Sequence, residues 1–164
     1  MKAEEEFKQL YQRMSSLCAE NNWGDPLSYA RAKEIYAAIE LGHNVSSTLS
    51  GADAFNQLGQ PVEYKSTIDK KVKGSYTGIS RQSTWGEQVR YLKEEKIAKY
   101  PEHFFNRFKD GKLVESWRLS GKQVFDILLP KLKKQYPNAH NKKDPRLNAN
   151  ITYTEIMKYA KRII

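Results

Sequence analysis

The chain has 164 residues, of which 39% are hydrophobic, 29% charged and 12% aromatic. That length suits one domain with a core of its own, and the composition excludes both a disordered chain and a membrane-spanning one. Lys and Arg total 28 against 19 Asp and Glu, a net charge of +9, which favours a polyanionic partner, nucleic acid first.

Cys18 is the one cysteine, and the first six residues, Met1 to Glu6, are acidic with no apolar run. Disulfides, a cysteine metal site and a secretory leader are therefore not expected, and cytoplasmic residence is. Residues 4–20 carry Phe7, Leu10, Tyr11, Met14, Leu17 and Cys18 at spacings of three and four, which predicts an amphipathic helix. Asp25-Pro26 then predicts the cap and first position of a second helix, with Leu27, Ala30, Ile35, Ala38 and Ile39 inward and Gly42 as its stop. Glu40 falls in the last turn, where a negative charge opposes the helix dipole; it reads as a solvated acid, with an accessory metal group as the alternative.

The stretch from Ser50 to Ile68 is the chemical centre of the chain. Ala54 to Val62 reads as a short strand, a turn containing Gly59 and the start of a second strand, a hairpin. Alternation along the second strand puts Glu63 and Lys65 on one face and Val62, Tyr64 and Ser66 on the other, and Asp53, heading the first strand, is expected to reach the Glu63/Lys65 face. Two carboxylates and an ammonium at one spot can hold magnesium against a phosphodiester and activate a water beside it. A solvated ion pair is the other reading of the same residues.

Beyond it, Asp69 to Gly74 is a charged turn and Ser75 to Ile79 a third strand. Thr84 and Glu87 have the spacing of a capping box for a helix running to about Lys99, with Val89, Leu92 and Ile97 inward and Pro101 as its end. His103–Phe108 and Leu113–Leu119 are expected as core strands joined at Asp110-Gly111. Ser120 with Gln123 caps a helix from Val124 to Tyr136, kinked at Pro130, and Pro137 to Asp144 reads as a polar loop. Thr152 with Glu155 caps a last helix to Arg162. This order predicts an α/β (α+β) domain over 1–164, a mixed central sheet flanked by helices. His43, His103 and His140 lack zinc-site spacing and read as surface or strand residues. Trp23, Trp85 and Trp117 read as core.

The residues at the centre also resemble a known family. Ser50-Gly51-Ala52-Asp53-Ala54, the Gly59-Gln60 turn and Glu63-Tyr64-Lys65-Ser66 are similar to the metal-site hairpin of the PD-(D/E)XK nucleases, in particular type II restriction endonucleases, with Ala52 where the family's proline stands. The likeness continues through Lys73-Gly74-Ser75-Tyr76-Thr77, Ile97-Ala98-Lys99-Tyr100 and Lys143-Asp144 to Met157, and spans roughly Gly42 to Met157. It implies a restriction-endonuclease-like fold, with 25–164 as the catalytic core; residues 1–24, with their amphipathic helix, are the expected dimerisation element, since a small chain with one site needs two copies to cut two strands. By the resemblance Asp53, Glu63 and the Tyr64 carbonyl hold Mg2+, Lys65 orients or deprotonates the attacking water, and Tyr100 binds a metal-bound water; packing is the other role open to Tyr100. The partners it implies are double-stranded DNA, a second copy of the chain in a homodimer and a separately encoded cognate DNA methyltransferase.

Base reading is expected from two stretches. Asn bonds adenine and Arg bonds guanine in the major groove, and the resemblance places one DNA-binding set at Arg146, Asn148 and Asn150 and the other at Tyr76, Ser80 and Arg81; an ordinary loop is the other reading of Asn148 and Asn150. The expectation is thus a magnesium-dependent, sequence-specific double-strand DNA endonuclease. A structure-selective or repair nuclease of the same fold and a DNA-binding protein without catalysis stand as its alternatives.

Overall fold

The structure, a computed structural model, describes residues 2–48 and 51–164; Met1 and Leu49-Ser50, the last being the first residue of the Ser50–Ile68 stretch, lie outside the described residues. The chain's internal contacts divide it into two compact units, Met1–Gly59 and Gln60–Ile164. The boundary falls in the turn between Asp53 and Glu63.

In the first unit, helix α1 spans Ala3–Glu20 as its apolar spacing requires. Its stripe is bare: Phe7, Leu10, Tyr11 and Leu17 are exposed, and Cys18 alone is buried. The second helix starts later than Asp25-Pro26 predicts, with α2 spanning Arg31–Glu40. Asp25 caps a turn instead, its carboxylate accepting from Leu27 N and Ser28 Oγ, and Tyr29 at φ +52° interrupts the helical path. Leu27 and Ile39 are accordingly exposed, and Ile35, Ala37 and Ala38 make the inward face. Arg31 is the unit's buried charge: it donates to the carbonyls of Trp23 and Ser46 and pairs with Glu34, so the guanidinium is satisfied where it sits. The helix ends before Gly42, and two short antiparallel strands come next, β1 (Asn44–Val45) and β2 (Ala54–Phe55).

The second unit is mixed α/β. Strand β3 (Pro61–Thr67) runs parallel to β5 (Glu102–Lys109), β5 runs antiparallel to β6 (Lys112–Ser120), and β6 carries the short β8 (Lys161–Arg162) on its other edge. The β5–β6 turn sits where the Asp-Gly signal placed it, with Asp110 at φ +50° and Gly111 at +73°, the doubly left-handed turn that matches strand twist. Strand β4 (Gly74–Ile79) leaves this sheet and pairs with β7 (Leu147–Ile151) in a separate antiparallel ribbon.

Three helices flank these strands: α3 (Trp85–Tyr91), α4 (Gly121–Ala139) and α5 (Tyr153–Tyr159). All three begin at the capping boxes read from sequence, Thr84/Glu87, Ser120/Gln123 and Thr152/Glu155. Their ends differ from expectation for identifiable reasons. After α3 the chain makes a π turn over Leu92–Lys96, closed by Ile97 N on the Leu92 carbonyl at 2.8 Å. Helix α4 runs through Pro137, because Tyr136 donates its hydroxyl to the Gln82 carbonyl and Ala139 is buried, which holds the last turn despite the missing N–H. The last helix stops at Tyr159 rather than Arg162, since the terminal residues pair with β6, covering an edge that would otherwise lie open. One core joins these elements on the sheet face that bears Phe105 and Leu119, with Leu92, Ile97, Val124, Leu128, Leu132 and Ile156 fully or almost fully buried. Each such side chain contributes about 1.5–3 kcal/mol through burial. Among the described residues no helix is long and apolar enough to cross a membrane.

Candidate functional site

Strand β3 fulfils the alternation that places the chemistry. Val62 and Tyr64 are buried on one face; Glu63 and Lys65 share the other, with the Lys65 Nζ 2.6 Å from Glu63 Oε1. Their side chains are 18% and 22% exposed, enough for a ligand to reach them and little enough to blunt solvent screening. Parallel pairing sets Glu63 opposite His103 and Lys65 opposite Phe105, so the pair stands at the margin of the core.

Strand β4 closes over this face at Gly74. A methyl group there would collide with the Phe105 ring and come within 3.3 Å of Lys65 Cγ, so glycine is what permits the approach. Two residues on, Tyr76 turns inward. Its ring lies under the Lys65 ammonium, 4.8 Å from Nζ to the centroid, and its hydroxyl is 2.9 Å from His103 Nδ1.

His103 is fully buried, and Nε2 lies 3.0 Å from the Ile97 carbonyl. A carbonyl only accepts, so Nε2 carries the proton and Nδ1 accepts from the Tyr76 hydroxyl. Burial pushes the imidazole down to about 4; the Ile97 hydrogen bond and the Glu63 charge oppose that fall, and Lys65 adds to it. The ring is neutral at pH 7. Tyr100, buried, stands edge-on to His103 with centroids 5.9 Å apart. Sequence spacing does not single out His103, because its place depends on the β3–β5 register and on the inward turn of β4, neither of which is local.

The expected metal ligands fall in both units. Asp53 lies immediately before β2, half-buried, with its main-chain carbonyl accepting from Ser46 N. Glu63 and Tyr64 are adjacent on β3. The side-chain oxygen donor on β3 is the Glu63 carboxylate, bonded to Lys65, whereas both nitrogens of the neighbouring imidazole are engaged. A carboxylate is a hard oxygen donor of the kind that magnesium takes. Among the described residues no three His, Cys, Asp or Glu side chains form a group able to hold a metal ion; the expected set has two carboxylates, completed by a main-chain carbonyl.

The two expected reading stretches are brought together as the β4–β7 ribbon. Its inward face is Tyr76, Ile79, Leu147, Ala149 and Ile151, and its outward face carries Ser75, Thr77, Asn148 and Asn150. Tyr76 is thus not among the outward residues: it is buried, with its ring under the Lys65 ammonium and its hydroxyl on His103. Asn148 Oδ1 accepts from Gly78 N at 2.8 Å, bridging the ribbon where its register slips. Helix α4 dresses the outer edge of β7: Gln135 bonds both main-chain groups of Asn148, and Lys131 donates to the Asn150 carbonyl. Ser80 is exposed. Arg81 stacks on the Tyr136 ring at 4.4 Å, and Arg146 is exposed and held by Asp144. The Arg146 guanidinium, bonded to the Asp144 carboxyl, holds that carboxyl down to about 2.

No protein-family model matches this chain, and none of the curated proteins matches it.

Proposed function

We propose that the chain is a magnesium-dependent, sequence-specific double-strand DNA endonuclease of restriction type, with a restriction-endonuclease-like fold, that acts as a homodimer. The observation that carries this reading is the Glu63–Lys65 pair, an acid and an ammonium 2.6 Å apart on one strand of a mixed sheet, at the edge of a core and open to a ligand. The net charge of +9 and the polar outward face of the β4–β7 ribbon support it, since a two-stranded ribbon fits the major groove. The resemblance to the PD-(D/E)XK nucleases supports it as well.

In this reading Glu63 and the Tyr64 carbonyl hold the metal, and the resemblance adds Asp53. Magnesium, when bound, supplies charge neutralisation and a more acidic water. Lys65 orients the water and offsets charge gathering on the phosphate, while Glu63 keeps the ammonium in place. Tyr100 lies beside this group as a packing partner of His103. The exposed Phe7, Leu10, Tyr11 and Leu17 of α1 are the surface on which a second copy would dock, giving two sites for two strands.

Incubating unmethylated plasmid of known sequence with the protein and magnesium, then mapping fragment ends, tests the reading. Discrete fragments with fixed ends support it. Preferential cutting of a branched junction would move the assignment to a structure-selective nuclease, and DNA bound but intact would leave a DNA-binding protein without catalysis.

A further inference from the structure

A lysine has four rotatable bonds, so an ion pair alone leaves its ammonium free to swing around the carboxylate. Lys65 has a second contact. The Tyr76 ring is 4.8 Å from Nζ, within the roughly 6 Å over which a ring face attracts a cation, and the Glu63 oxygen lies at 2.6 Å. The ring is itself fixed: its hydroxyl meets His103 Nδ1 at 2.9 Å, and His103 Nε2 meets the Ile97 carbonyl at 3.0 Å, all out of solvent. Gly74 lets β4 come close enough for this to happen.

We propose that the Tyr76 ring, anchored through its hydroxyl by His103, is the seat that positions Lys65 beside Glu63. Tyr76 and His103 are positioning residues here; neither touches a substrate. The consequence for turnover rests on the endonuclease reading, whereas the placement of Lys65 does not.

Two measurements on the full chain separate these. In heteronuclear NMR the Lys65 ε-methylene resonance, assigned by its disappearance in Lys65→Met, should be displaced upfield by the ring in the wild type, less far in Tyr76→Phe, whose ring lacks the bond to His103, and should sit with ordinary exposed lysines in Tyr76→Leu; full wild-type displacement in Tyr76→Phe overturns the anchor. An undisplaced wild-type signal, or one that Tyr76→Leu leaves in place, overturns the seat. In cleavage assays Tyr76→Leu should lower kcat about 100-fold, the cost of misplacing a reacting group by about 1 Å, with KM unchanged, and Tyr76→Phe should recover most of the loss. Wild-type kcat in Tyr76→Leu, or a Tyr76→Phe as slow as Tyr76→Leu, overturns the catalytic half. If the wild type itself leaves DNA intact, the endonuclease reading falls and the resonance alone decides the seat. Should Tyr76→Leu fail to fold, the wild-type and Tyr76→Phe spectra still decide it.

Discussion

The Glu63–Lys65 face of β3 and the outward face of the β4–β7 ribbon are built from the same alternation and differ in what holds their polar groups. On β3 the acid and the ammonium are half-buried and fixed by each other, by the Tyr76 ring and, behind it, by a neutral histidine. On the ribbon Ser75, Thr77, Asn148 and Asn150 face solvent, with one side-chain bridge from Asn148 and an edge tied to α4 by Gln135 and Lys131. The first is a place of set geometry, suited to chemistry. The second is a surface that can exchange its bonds for those of a partner.

The largest effect should come from the fixed face. Glu63→Ala or Lys65→Ala should remove magnesium-dependent plasmid cleavage altogether while the thermal melt stays cooperative, since both side chains stand at the margin of the core. A Lys65→Ala protein that cuts at the wild-type rate would falsify the distinction between the two faces.

Next is pH. His103 is held down to about 4 by burial against an ordinary 6.5, so between those values the unfolded chain binds more protons than the folded one. Stability is therefore complete above about pH 6.5 and falls as pH drops toward 4, by about 3 kcal/mol, from 1.36 kcal/mol per unit. Urea unfolding at pH 5 and pH 7 should show this slope, and His103→Phe should flatten it. An equal slope in both proteins would assign the acid sensitivity elsewhere.

The ribbon should respond differently. Asn148→Ala should cost about 1–3 kcal/mol of discrimination between cognate and scrambled duplexes, with non-specific, salt-dependent binding nearly unchanged, as read from parallel titrations. Full discrimination in the variant would place base reading at other residues. The smallest effect is expected at the ribbon's edge, where Gln135→Ala removes two bonds to the Asn148 main chain and should cost about 1 kcal/mol, seen in urea unfolding and in faster hydrogen exchange of β7 amides. Unchanged exchange would mean that α4 does not hold the edge.

These differences also explain what is legible in the sequence. The three capping boxes, the Asp110-Gly111 turn and the separation of Glu63 and Lys65 from Val62 and Tyr64 are local signals spanning two to four residues, and each has its structural counterpart. Asp25 misleads because an aspartate before proline serves a turn as readily as a helix, and Tyr29 decides between them only in three dimensions. No strand is expected over Arg146 to Asn150, because its polar residues hide one whose partner lies some seventy positions away, as the Gly78–Asn148 bridge shows. The roles of Tyr76 and His103 are hidden for the same reason. Their partners are set by register, not by spacing.

The π turn at Leu92–Lys96 has a consequence for how this chain tolerates change. Lys93, Glu94, Glu95 and Lys96 are exposed, so the identity of these residues should matter little. Their number has one to spare. Deleting any one would turn the five-residue closure of Ile97 N on the Leu92 carbonyl into the ordinary four-residue one, so the turn would still close, and Ile97 would keep its place in the core and its carbonyl beside His103. The segment is a length of slack with one surplus link, indifferent to spelling and able to lose a letter, and a deletion scan should damage the protein across β5 but be tolerated at Lys93 to Lys96.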